Sequence, residues 1–154
     1  VGDFHAGGIV FYVDSTGQHG LIAAMEDIDQ QWEWGCWGEE IIGANGIAIG
    51  TGLQNTLDIV SGCTSSGDIA ASEALAFESG GFSDWYLPSK DELYEMYNTI
   101  GQGSIGGNIG NFKNSWYWSS SEIDYQNAWF VSFNNSNVST SKYDPTWIRP
   151  IRSF

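Results

Sequence analysis

Two short apolar runs near the N-terminus flank a polar turn. Residues 9–13 are β-branched or aromatic, residues 14–17 are typical turn formers, and residues 20–24 are apolar again. Apolar runs of this length on either side of a turn are typical of antiparallel strands. The pattern therefore predicts a β-hairpin at the start of the chain.

Two later segments have apolar residues at helical spacing. Residues 55–61 are predicted to form a short helix that ends at Gly62, and its core-facing side would consist of Leu53, Leu57 and Val60. Residues 68–78 are predicted to form a second helix, with Asp68 as its cap. Its core-facing side would consist of Ala70, Ala74 and Phe77.

The clearest helical signal begins at Ser89. Ser89 and Glu92 match the capping box S-x-x-E, in which each residue satisfies a backbone N–H of the other. Apolar residues then follow at the spacing i, i+3, i+4 and i+7, namely Leu93, Met96, Tyr97 and Ile100. Residues 101–106 match G-x-G-x-x-G, but a dinucleotide site needs a strand before this motif and a helix after it. We therefore interpret the glycine-rich residues 101–111 as a loop.

The C-terminal part of the chain alternates between apolar and polar positions. Within residues 128–133, alternation places Trp129, Val131 and Phe133 toward the core and Phe130 and Ser132 outward. Tyr, Ser and Asn with an occasional large aromatic residue on an exposed surface are typical of adaptable recognition sites, whereas the simpler alternative is an ordinary solvated sheet edge. The predicted ligand-binding face therefore consists of Asp124, Tyr125, Gln126, Phe130, Ser132, Ser139, Ser141, Tyr143, Asp144 and Thr146. Replacing Tyr125, Phe130 and Tyr143 by alanine is expected to abolish binding without unfolding the protein.

Composition narrows the class of partner. The 154 residues fit one domain, residues 1–154, and carry 19 acidic against 5 basic side chains, a net charge of −14. Such a chain is repelled by nucleic acid and by anionic membrane surfaces. It also lacks the uninterrupted apolar run of about 18 residues that membrane insertion requires.

The two cysteines are expected to form a structural bond. Cys36 and Cys63 fit neither a redox motif nor a zinc-ligand set, so we favour a disulfide over two buried thiols. Neither cysteine has a neighbour that would activate it, and no G-x-S-x-G motif is present, so we do not expect an enzyme.

Acidic and amide side chains late in the chain suggest two interpretations. Oxygen ligands for calcium could come from Glu122, Asp124, Asn127 and Asn134, but their spacing matches no calcium loop. We prefer the alternative that Glu122 pairs with Arg149 or Arg152 as a structural lock, and we expect no cofactor.

Three segments together resemble the C-terminal domain of Lcl-type bacterial collagen-like adhesins. They are GGIVFYVDSTGQHGLIAA at 7–24, DWYLPSKDELYEMY at 84–97, and YWSSSE, AWFVSFNN and WIRPIRSF within 117–154. The resemblance implies an α+β, C-type-lectin-like fold in which the chain ends pair, with antiparallel strands, two to three short helices and a long loop-rich C-terminal half. It also implies an extracellular or cell-surface adhesion module, often at the tip of a trimeric fibre, that binds glycan or protein surfaces.

A narrower resemblance concerns the last forty residues, which are similar to the variable region of retroelement-diversified proteins. Asn, Ser, Thr, Tyr and Asp can all arise from mutated asparagine codons, and they crowd positions 124–146. The lectin calcium motifs E-P-N and W-N-D are absent from the sequence, so calcium-dependent sugar binding is not implied.

Three alternatives to adhesion stay open at this point. The chain could be a diversified receptor-binding protein, or a structural cap that ends or trimerises a filament. A third alternative is an enzyme of the formylglycine-generating type, which has a similar fold and uses cysteines. Those of this chain, Cys36 and Cys63, lie away from the predicted C-terminal face.

Overall fold

The computed structural model describes residues 1–64 and 67–154. Within these residues the protein is α+β, with two antiparallel sheets and three helices. The elements in chain order are β1 (Phe4–His5), β2 (Gly8–Val13), β3 (Gly20–Ala24), α1 (Gly52–Gly62), α2 (Ala70–Ala76), α3 (Lys90–Thr99), β4 (Trp116–Asp124), β5 (Asn127–Ser132), β6 (Val138–Thr140) and β7 (Ile151–Ser153).

The first sheet joins the two ends of the chain. Its strand order is β1-β2-β3-β7, and every pair is antiparallel. The β2–β3 register, with Val13 opposite Gly20, confirms the predicted hairpin. The last strand then adds to β3, with Arg152 opposite Ile22. Residues 84–87 pair with this strand through one bridge, between Tyr86 and Ile151.

The second sheet, with the order β4-β5-β6, carries a hydrophobic core on both of its faces. On one face Phe130 packs with Trp118 and Trp34, whereas on the other Val131 and Phe133 pack with α3 and β2. The prediction that Phe130 and Ser132 face solvent is therefore wrong, since they are 9% and 3% exposed. Alternation separates the two faces of a strand, but here neither face is solvated.

The first two helices form, but α1 buries a different side than predicted and α2 begins at a different residue. Leu53, Leu57 and Val60 of α1 are 42%, 44% and 40% exposed, because the helix buries its opposite side. That side contains Asn55, which bonds both the N–H and the carbonyl of Gly46. Satisfied in this way, a buried amide costs little. The second helix begins at Ala70, with Ile69 as its N-cap in place of Asp68.

The third helix forms as predicted. Ser89 Oγ accepts the Glu92 N–H at 3.3 Å, and Glu92 Oε2 accepts the Ser89 N–H at 2.7 Å. Leu93, Met96 and Ile100 are fully buried against the core. The helix thereby supports the β4–β5 pair from one side.

Candidate functional site

Three exposed large aromatic side chains lie on neighbouring segments, and we call them the aromatic platform: Trp37, Tyr125 and Tyr143, which are 59%, 53% and 65% exposed. The Gly38 N–H donates to the Tyr125 carbonyl at 2.7 Å. The Lys142 N–H donates to the Gln126 carbonyl at 3.0 Å. These two backbone bonds bring together segments that are far apart in sequence.

A disulfide anchors the first segment of the aromatic platform. Cys36 and Cys63 are bonded, as predicted, with their Cα atoms 5.5 Å apart. Cys63 is the C-cap of α1, and Cys36 directly precedes Trp37. The bond therefore fixes the backbone beside Trp37 to the end of a helix.

A buried ion pair anchors the other two segments. Lys142 Nζ lies 2.5 Å from Glu122 Oε1, and both side chains are buried. The same ammonium donates to the Glu39 carbonyl at 2.7 Å and lies 4.7 Å from the centre of the Trp34 ring. The Glu122 carboxylate also accepts the Ile41 N–H at 2.9 Å. This network ties the residue before Tyr143 to the loop that follows Trp37.

The predicted lock between Glu122 and an arginine is wrong in its partners. Arg149 instead pairs with Asp27, its Nε donating to Oδ1 at 2.8 Å, and Arg152 makes two bonds to Asp84 at 2.7 and 2.8 Å. Hydrogen bonding from Arg152 lowers the pKa of Asp84 below its usual range. The strand β7 that carries Arg152 lies in the first sheet, whereas Glu122 lies in the second.

The structure divides the predicted ligand-binding face. Its exposed or half-buried members are Asp124, Tyr125, Gln126, Ser139, Ser141, Tyr143 and Asp144. Its buried members are Phe130, Ser132 and Thr146. Thr146 is covered because its backbone N–H and carbonyl both bond to Trp32, at 2.9 and 3.0 Å. These three residues belong to the frame beneath the surface.

Trp37 is the member of the aromatic platform that is absent from the predicted ligand-binding face. It lies in a tryptophan-rich loop beside Cys36, a context that suggested packing. The contrary signal is the polar sequence Gly38-Glu39-Glu40 that follows it, because glutamate is mostly exposed in folded proteins. In the structure both Glu39 and Glu40 are exposed.

Carboxylates surround the aromatic platform. Asp124 accepts the backbone N–H groups of Gln126 and Asn127 at 2.8 and 2.9 Å, and the bond from Gln126 lowers its pKa. Asp124 is therefore ionised at neutral pH beside Tyr125. In the described part of the chain, no three His, Cys, Asp or Glu side chains come together as a metal site. The carboxylate of Glu122, one of the calcium candidates, is committed to Lys142 and Ile41.

Two clefts lie away from the aromatic platform. Two grooves of about 450 and 480 Å³ flank the loop at residues 26–30. Asp27 lies between them and is committed to Lys113, Tyr117 and Arg149.

Within residues 1–64 and 67–154, no helix has the length and apolar character needed to cross a membrane.

Comparison with known proteins places the chain in a family. No curated protein matches it in sequence. The crystal structure of a fimbrial protein from Bacteroides ovatus ATCC 8483 is similar, with a TM-score of 0.58 and 14% sequence identity over 94% of this chain. This chain spans 43% of that protein, and the likeness is one of fold. The sequence pattern of the Lcl C-terminal domain matches residues 26–152. The chain therefore belongs to the Lcl C-terminal domain family.

Proposed function

We propose that residues 1–154 form one non-enzymatic recognition domain of an extracellular surface or fibre protein. Membership of the Lcl C-terminal domain family and likeness to a protein described as fimbrial support this role. We further propose that the two sheets and three helices form a C-type-lectin-like fold. The domain would bind glycan or protein surfaces through the aromatic platform.

The observation that carries this proposal is the exposure of three large aromatic rings on an anchored frame. Rings of this kind bury a large apolar area on contact and lose little conformational entropy. Trp37 follows the disulfide and Tyr143 follows the buried Lys142, so their backbones are already fixed before a ligand arrives. Prior fixing of this kind reduces the entropy that binding costs.

The test is a binding screen of the purified domain on glycan and protein arrays. Replacing Trp37, Tyr125 or Tyr143 by alanine is expected to lower the affinity for each captured ligand by about tenfold, the range for a central aromatic contact. The matched control is Phe4→Ala, since Phe4 is 68% exposed but belongs to the other sheet. Binding is expected to persist in EDTA.

The thermal midpoint of each variant should stay close to that of the wild type, because the rings are exposed. A ligand that binds all three variants with the same affinity as the wild type would show that the aromatic platform is not the binding site. Loss of binding by Phe4→Ala alone would move the site to the first sheet.

A second candidate role is assembly of the fibre, for which the outer side of α1 is the specific observation. Leu53, Leu57 and Val60 lie on one helical side and are partly exposed, as in a surface awaiting a partner. Packing of copies through this side would give an oligomer such as a homotrimer. Sedimentation of the wild type against Leu57→Lys tests this role, and a wild type that stays monomeric at high concentration would contradict it.

A further inference from the structure

All five lysine and arginine side chains of this protein are already paired with a carboxylate. The sequence has five lysine and arginine residues. Each lies within ion-pairing distance of a carboxylate, the pairs being Lys90–Asp91, Lys113–Asp27, Lys142–Glu122, Arg149–Asp27 and Arg152–Asp84. The surplus charge on the protein surface is therefore negative.

Each of these cations also lies over an aromatic ring. The distances to the ring centres are 3.5 Å for Lys113 over Trp147, 3.9 Å for Arg152 over Phe82, 4.2 Å for Arg149 over Phe112, 4.7 Å for Lys142 over Trp34 and 5.4 Å for Lys90 over Trp129. At such distances the negative face of a ring attracts a cation. A carboxylate together with an aromatic ring is thus the repeated way in which this protein holds a cation.

The aromatic platform has the same two components without the cation. Each ring has a carboxylate close to it in sequence, in the combinations Trp37 with Glu39, Tyr125 with Asp124, and Tyr143 with Asp144. In the part of the chain that the structure describes, no lysine or arginine lies over these three rings. The nearby ammonium of Lys142 is buried beneath the surface against Trp34.

We propose that the ligand is a protein surface that presents lysine or arginine side chains to the aromatic platform. This inference rests on the proposed function and specifies its ligand. The net charge of −14 attracts such a partner and repels sulfated glycans and other polyanions. The exposed rings then hold the arriving cation at short range, where the domain has no cation of its own to compete.

The experiment measures the affinity of the domain for a short peptide of alternating serine and lysine. The comparison ligands are the same peptide with acetylated lysines, a neutral glycan array and a heparin fragment. The charged peptide is expected to bind, and heparin is not. Trp37→Ala and Tyr143→Ala, which leave the charge unchanged, are expected to weaken peptide binding about twofold to fivefold, the usual range for a cation–ring contact at an exposed site.

A matched pair of double variants separates a site from a general negative field. Glu39→Gln with Asp144→Asn removes two charges at the aromatic platform, whereas Asp3→Asn with Glu78→Gln removes two exposed charges elsewhere. The first double variant is expected to weaken binding about tenfold, and the second by less than about twofold.

The outcomes distinguish this inference from the proposed function. Equal weakening by both double variants, with no effect of the alanine variants, would mean nonspecific attraction and overturn the inference. A neutral glycan or acetylated peptide whose binding depends on Trp37 and Tyr143 would overturn it while leaving the proposed function intact. Ligands that bind every variant with the same affinity as the wild type would overturn both the inference and the proposed function.

Discussion

The buried pair of Lys142 and Glu122 should be a main determinant of stability. Lys142→Met keeps the length and apolar stem of the side chain but removes its charge. The Glu122 carboxylate, which is 4% exposed, then keeps the Ile41 N–H but, among the described residues, has no cation paired with it. The Glu39 carbonyl loses the ammonium that it accepts at 2.7 Å.

The expected loss is large because the remaining charge is uncompensated. At an effective dielectric constant of about 20, unit charges at the separation of this pair attract by about 7 kcal/mol, and desolvation offsets several kcal/mol of that. Removing one partner of a buried pair costs about 3–5 kcal/mol. Lys142→Met is therefore expected to lower the free energy of unfolding by that amount.

Urea denaturation under non-reducing conditions measures this loss. The matched control is Lys113→Met, because Lys113 pairs with Asp27 while its own side chain is 48% exposed, and a pair screened in this way contributes at most about 1 kcal/mol. The double variant of Lys142→Met with Glu122→Gln should lose less than the sum of the single variants, since it leaves no buried charge. A loss below about 1 kcal/mol for Lys142→Met, or additivity of the two single variants, would refute the reasoning.

Three further changes test the frame. Phe130→Ala should lower the free energy of unfolding by about 3–5 kcal/mol in a urea titration, because its ring packs 5.0 Å from that of Trp118, and a loss below about 1 kcal/mol would contradict its burial. Replacing Cys36 and Cys63 by alanine should cost about 3.5 kcal/mol by the chain-entropy estimate, and a melting temperature insensitive to reductant would contradict this. Burial raises the pKa of Glu92, so its folded-state proton is held more tightly than in the unfolded chain. The stability that it contributes is present in acid and falls as pH rises from the usual glutamate pKa through the raised one, and a pH profile unchanged by Glu92→Gln would contradict this.

Features that depend on neighbouring residues could be predicted from the sequence. The β2–β3 hairpin follows from its turn residues, and α3 follows from the capping box of Ser89 and Glu92. Features that depend on distant residues could not. Alternation cannot tell that α3 and β2 cover one side of β5 while Trp34 and Trp118 cover the other. Alternation alone therefore predicts that Phe130 lies on the surface, although its side of β5 is covered.

The candidate site was predicted in part for the same physical reason. Tyr125 and Tyr143 lie in polar segments, so their exposure is visible in the local sequence. Trp37 joins them through the backbone bond between Gly38 and Tyr125 and through the bond from Lys142 to the Glu39 carbonyl, which link residues far apart in the chain. Phe130, by contrast, packs in the core against Trp118 and is not exposed beside these rings.

The frame and the aromatic platform both combine carboxylates with aromatic rings, but only the frame also contains the cation. Carboxylates and rings pair with all five lysine and arginine side chains, and the buried pairs Lys142–Glu122 and Arg149–Asp27 hold distant segments together. In the described part of the chain, the carboxylates next to the aromatic platform in sequence, Glu39, Asp124 and Asp144, form no ion pair with a lysine or arginine. In the proposal above, exposed rings beside carboxylates without an ion pair accept positive charge from a partner and reject polyanions. On that proposal, the internal pairing that stabilises the fold also makes the surface selective.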